Sequence, residues 1–324
     1  MSKTPASKKP VTKKPGANRP SASEPVSKNP PVKSSSGRPA GLFTWIAVGL
    51  VVVVVAGLVI IKVATGSTPS STSSAWQPAD PAVVAQLTQV PATTFDKVGV
   101  TSPVVQVFKP LTLTGQPVMT AKSATGATLP RVLYVGAEFC PYCAAQRWST
   151  IIALSRFGTF AKLGNTTSSS IDVDPNTPTF TFAKSVYTSK YLVFKGYELY
   201  TRVPDAANHY YFPLEKISKA DNKVWAKYDS AKFVPGLTGQ GFPFITFANQ
   251  FLVAGPMYTS AGWNGVSRNQ IAAGLSNPSS PITDGIITAA NEQTALLCVL
   301  THHQPGPVCA SKGVLAAKKL LKIK

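Results

Sequence analysis

Acidic residues are scarce in this chain, with 13 Asp and Glu against 32 Lys and Arg in 324 residues. The shortage is sharpest at the start, where Glu24 is the single acid among the first forty residues beside nine Lys and Arg. Those forty residues also lack large apolar side chains almost entirely, which excludes a packed core there and predicts a disordered basic tail over residues 1–41. The tail has no interleaved aromatics and no folded reading module beside it, so nucleic acid is not the expected partner. Internal repeats are absent, which excludes a solenoid. Cysteine is limited to four residues, all from Cys140 onward.

Beyond the tail lies an uninterrupted apolar run, Leu42 to Ile61, bounded by Arg38 and Lys62. Twenty such residues in a helix span about 30 Å, the thickness of a bilayer core, so residues 42–63 are predicted to form a transmembrane helix. The cationic flank precedes the run, and positive-inside bias then leaves the N-terminus in the cytoplasm and exports the rest. A cleaved signal peptide is the alternative, with a poor small-residue site at Ala64-Thr65-Gly66. The basic tail would also meet anionic lipid headgroups. Residues 64–78 read as a flexible linker, 79–311 as the exported domain and 312–324 as a basic C-terminal tail. The exported part is basic as well, but its charge is dispersed as on a solvated surface.

The chemistry concentrates between Arg131 and Trp148. Val132 to Ala137 is short, apolar and partly β-branched, as in a strand covered on both faces. It runs into Cys140-Pro141-Tyr142-Cys143. With Cys140 as the cap, Pro141 takes the first helical position, where its missing N–H costs nothing. The helix terminus is expected to favour a Cys140 thiolate, lowering a free-cysteine pKa of about 8.5. One turn later, Cys143 stands where two sulfurs close a disulfide or resolve a mixed one. Half of a zinc site and an inert disulfide are the competing readings of this pair.

Downstream, residues 159–239 look inserted, with strands expected near 179–182 and 191–199 and a short helix at 221–228. Their many aromatics read first as core and sheet packing, and otherwise as an apolar platform for unfolded substrate. Phe244 to Phe247 and Phe251 to Ala254 read as a hairpin around Ala248-Asn249-Gln250, opened by Pro243. Cys298 and Cys309 read as a disulfide pinning the last loop, with a Cys-x3-His-His-x5-Cys zinc set as the alternative. No cofactor is called for.

A strand leading to Cys-x-x-Cys at a helix start, followed far downstream by a proline that opens a hairpin, resembles the thioredoxin fold. The segments Tyr134 to Trp148, Leu154 to Phe160, Thr177 to Phe182 and Asn277 to Ile282 resemble a family of thioredoxin-like proteins of unknown function in actinobacteria and archaea, the domain of unknown function 929. The resemblance implies an α/β, thioredoxin-like domain with a large insertion, behind the basic tail and the one transmembrane helix. It implies Cys140 as nucleophile, Cys143 as resolving thiol and Pro243 as a cis-proline. Phe242 would offer backbone to the substrate, with Tyr142 and Pro243 beside it. One departure is the strand before the cysteines: Tyr134 stands where thioredoxins place a buried aspartate, which leaves water or Glu138 to move the proton of Cys143.

The expected function is therefore a membrane-anchored, extracytoplasmic thiol-disulfide oxidoreductase, an oxidase or isomerase rather than a reductase. Its partners would be exported protein thiols and disulfides and a membrane disulfide oxidase. The other class in view is a non-catalytic envelope interaction protein with structural cysteines.

Overall fold

A computed structural model describes residues 75–100 and 107–324. The strand read from the sequence is there and longer than expected: β4 runs Thr128–Gly136, fully buried over its second half. Its side chains alternate, as a strand's must. Val132 and Tyr134 enter one core, while Leu133 and Val135 enter a second. The segment 132–136, with no charged residue, thus has a core to fill on each side.

Around β4 the sheet is built from β2 (Leu111–Thr112), β3 (Thr120–Lys122), β7 (Val193–Glu198), β10 (Phe244–Phe247) and β11 (Phe251–Ala254). β10 and β11 form the expected hairpin, and β10 pairs antiparallel to β4 with Phe244 opposite Val135. Ala248 and Asn249 turn the chain at φ 52° and 57°. β7 lies parallel to β4, with Gly136 opposite Glu198.

One face of this sheet packs under α3 (Pro141–Ser155) and α6 (Pro281–Leu300), in a core that includes Trp148, Ile151, Ile286 and Leu297. A second sheet joins the same layer: β1 (Gln77–Pro78), β5 (Gly158–Thr167) and β6 (Pro178–Ser189). Trp148 Nε1 donates to the carbonyl of Pro178, and Thr179 Oγ1 donates to that of Ala144, tying α3 to β6. The opposite face is closed by α4 (Lys219–Tyr228) through Trp225 and Tyr228. β8 (Tyr200–Asp205) and β9 (Tyr210–Pro213) form a separate two-stranded hairpin.

Of the remaining helices, α1 (Pro81–Thr88) is capped by Asp80, α2 (Ala92–Val98) comes shortly after it, and α5 (Arg268–Gly274) has a full capping box from Ser267 and Gln270. Within this group α1 packs on α3 and α5, and the others pack on α6. A short α7 (Gly306–Cys309) brings Cys309 to Cys298 on α6, where the two form a disulfide with Cα atoms 5.6 Å apart. Both sulfurs of the alternative zinc set are therefore bonded to each other. Finally α8 (Lys312–Leu321) docks on α2, its Gly313 N–H donating to Asp96.

Two architectural expectations are corrected. No helix among the described residues is long and apolar enough to cross a membrane, so the transmembrane helix has no support. The run Leu42–Ile61, its basic tail and residues 64–74 of the linker lie outside the described residues. Secondly, the thioredoxin-like α/β core with residues 159–239 looped out gives way to a mixed α/β arrangement with three sheets among the described residues. Strands from that stretch enter all three, and β7 lies beside β4 in the central one. Parallel pairing between strands so far apart leaves no local trace in the sequence.

Candidate functional site

β4 leaves its sheet at Gly136, and three residues intervene before Cys140 caps α3, with Pro141 inside the first turn. The backbone N–H of Cys143 donates to Cys140 Sγ at 3.2 Å. Both sulfurs are unbonded; Cys140 is 5% exposed and Cys143 fully enclosed, so Cys140 is the outer sulfur.

Their acidities differ from the sequence expectation. Burial pushes the Cys140 thiol well above its ordinary value, and its hydrogen bond to Cys143 adds to the effect. Burial opposes ionisation of Cys143 too, but the hydrogen bond from Cys140 and the charge of Arg147 outweigh it and bring Cys143 below the usual thiol range. The terminus does serve Cys140, through the Cys143 N–H, yet burial and the neighbouring sulfur outweigh it.

Beside the hydrogen bond between the two sulfurs, a second contribution to that asymmetry lies one turn further along α3. Arg147 follows Cys143 by four residues and so lies on the same helix face. Its Nε donates to Glu198 Oε1 at 2.8 Å and its Nη2 to Glu198 Oε2 at 2.6 Å, both side chains being fully enclosed. Nη2 also donates to the carbonyl of Ala137 at 2.7 Å. Glu198 reaches this place because it ends β7 beside Gly136 of β4. Burial raises its carboxyl to about 7 against the opposing pull of Arg147.

Tyr134, on β4, has a buried hydroxyl that makes no hydrogen bond of regular geometry, with Cys143 as its neighbour. Burial, aided by the neighbouring Cys143 and Glu198 and opposed by the charge of Arg147, sets its ionisation well above the ordinary tyrosine value. Gly136 makes room for it, since a Cβ there would collide with the Tyr134 hydroxyl. Glu138, the acid expected to serve Cys143, is buried and raised mainly by that burial. The charges that act on Cys143 are instead those of Arg147 and Glu198.

At the rim, the Phe242–Pro243 peptide is cis. Extending the β10–β4 register by one residue places Pro243 opposite Gly136, at the sheet end from which the cysteines emerge. The Phe242 ring lies 6.2 Å from that of Phe139, the residue before Cys140, and stacks on Trp225 at 5.5 Å. The β8–β9 hairpin completes the rim. Tyr211 stacks on Phe139 at 4.0 Å, and Tyr200 and Tyr210 approach the same ring at 6.3 and 5.6 Å. Tyr142, between the cysteines, is 40% exposed. The aromatics of residues 159–239 therefore divide: Phe180 and Phe182 fill the core, whereas Tyr200, Tyr210 and Tyr211 surround Phe139.

Cys140, Cys143, Tyr142, Phe242 and Pro243 thus share one end of the central sheet, while Cys298 and Cys309 belong to the α6–α7 staple. Sequence reasoning missed Arg147 and Glu198. A cation four residues after Cys143, on the same face of its helix, was the available signal; nothing local pointed to Glu198, 51 residues away.

Residues 120–299, more than half of the chain, match the model of the family described as "Domain of unknown function (DUF929)", and the chain belongs to that family. No curated protein and no solved structure matches it.

Proposed function

We propose that this DUF929 protein is a thiol-disulfide oxidoreductase in which Cys140 exchanges with protein thiols or disulfides and Cys143 resolves the mixed disulfide. The observation that carries this reading is the pair of unbonded sulfurs in the first turn of a buried helix, joined by the Cys143 N–H to Cys140 Sγ contact. An inert pair would have no use for a backbone donor aimed at one sulfur or for a charge set beneath the other. Phe242 and Pro243 lie at the same sheet end as Cys140, which supports the same reading.

The proton of the outer thiol passes along the hydrogen bond to Cys143, and the Cys140 thiolate attacks one sulfur of a substrate disulfide. A Cys140–substrate disulfide forms, the substrate's other sulfur leaves as a thiolate, and Cys143 then displaces the remaining substrate sulfur. Run in reverse, an oxidised pair accepts two electrons from a substrate dithiol. The Cys298–Cys309 disulfide favours an oxidising compartment, and with it substrates among exported proteins and the oxidase or isomerase direction.

The test is transfer of a disulfide. Oxidised full-length chain, mixed with a reduced peptide carrying two cysteines, is expected to yield the peptide disulfide and one reduced Cys140–Cys143 pair per event. Cys140→Ser should yield none. Absence of transfer in either direction by the unaltered chain would refute the proposal.

A further inference from the structure

The exchange steps above leave the buried charge pair beneath the sulfurs without a task. A buried ion pair is weak evidence for stability, because desolvation can exceed its attraction. Arg147 spends Nε and Nη2 on Glu198 and on the carbonyl of Ala137, but Nη1 is buried with no hydrogen-bond partner. The Tyr134 hydroxyl is buried without a regular hydrogen bond as well, beside Cys143. Buried donors left unpaired are costly, and two of them on side chains that act on Cys143 are explained if an anion arises there during the reaction.

We infer that Arg147, held in place by Glu198, supplies the positive charge that stabilises the Cys143 thiolate during resolution, with the Tyr134 hydroxyl as a second donor. The inference rests on the exchange reading above. In the step concerned, Cys140 is bonded to a substrate sulfur and Cys143 starts as a thiol. Cys143 gives up its proton, and its sulfur attacks Cys140 Sγ. The Cys140–Cys143 bond forms as the Cys140–substrate bond breaks, and the departing substrate thiolate takes the proton. Substrate sulfur is reduced and the pair is oxidised.

The groups acting on Cys143 come from three elements: Cys140 and Arg147 from α3, Tyr134 from β4 and Glu198 from β7. Arg147 favours its ionised form and Glu198 opposes it. Glu198 is thus a positioning residue with two effects of opposite sign, since it fixes the guanidinium and offsets part of its charge. A purely structural pair would lack this signature.

The experiment reads thiolate absorbance of Cys143 against pH in full-length Cys140→Ser chain, in three backgrounds. Replacing the pair by Arg147→Met with Glu198→Leu is expected to raise the Cys143 pKa by about one unit or more, a tenfold loss of thiolate at fixed pH below it. Glu198→Gln alone is expected to lower it. In chain retaining both cysteines, release of substrate thiol from a preformed mixed disulfide should slow about tenfold in the apolar pair and recover about one pH unit higher. Equal Cys143 pKa values in all three backgrounds would overturn the inference. Should the apolar pair not fold, Glu198→Gln decides alone, and an unchanged or raised pKa counts against it. Failure of the exchange reading appears separately, as absence of disulfide transfer by the unaltered pair, and leaves this titration readable.

Discussion

Replacing Arg147 with Met while Glu198 stays is expected to cost the fold about 3–5 kcal/mol, the usual penalty for stranding one member of a buried ion pair. Both side chains are fully enclosed, so solvent screening does not soften the loss. Glu198 would keep only the weak 3.3 Å hydrogen bond from the Phe182 N–H among the contacts it makes with its carboxylate. The deficit should depend on pH, with a definite sign. In the intact protein the folded-state pKa of Glu198 is about 7, raised by burial although Arg147 pulls it down. That lies above an unfolded value of about 4.3. The folded state therefore binds the extra proton, and stability is lost as pH rises from about 4.3 through about 7. Removing Arg147 removes the lowering influence and widens the window upward. Denaturant titrations of Arg147→Met should show a small deficit near pH 5 and a larger one near pH 8; a deficit that does not grow with pH contradicts the buried-carboxylate account.

Cys143→Ser is expected to lock substrates onto Cys140. Resolution is intramolecular, and well-oriented intramolecular reactions carry effective molarities of about 10⁵ M or more. A millimolar external thiol cannot replace that advantage, so turnover should fall by a factor on the order of 10³ or more while mixed disulfides accumulate. Cys140 is the outer sulfur and Cys143 has no exposure, so the reverse variant, Cys140→Ser, should accumulate none. Non-reducing electrophoresis of full-length chain with a disulfide-bonded peptide reads both results. Equal adducts on the two variants would show that the inner sulfur is reached directly and would remove the assigned order of events.

The parts of this site that are legible in the sequence are those encoded within a single element. Val132 to Gly136 has to be buried on both sides, and Cys140-Pro141 carries its own helix start. The β10–β11 hairpin is marked by two apolar runs around a short polar turn, and α1 by its Asp80-Pro81 start. What is hidden depends on pairing across long separations. β5 is rich in Gly, Thr and Asn at Gly164–Thr167, a composition that reads as loop; its register is also shifted around Lys162, which breaks any clean alternation. β7 gains its place only by lying parallel to β4, and Glu198 becomes the partner of Arg147 only because of that register. The acidity of Cys140 departs from expectation for a related reason: helix-terminus reasoning sees the local donor but not the burial or the neighbouring sulfur.

The central claim is that Cys140 and Cys143 are a working redox couple, and equilibrium with glutathione buffers tests it most directly. Full-length chain is held in a series of reduced-to-oxidised glutathione ratios, quenched with acid and alkylated, and the fraction of Cys140–Cys143 disulfide is read by mass. The account predicts a reversible two-electron transition within the series, approached equally from the oxidised and the reduced protein, with Cys298–Cys309 unchanged. A pair that stays dithiol across the whole series, or that oxidises without returning, would contradict it.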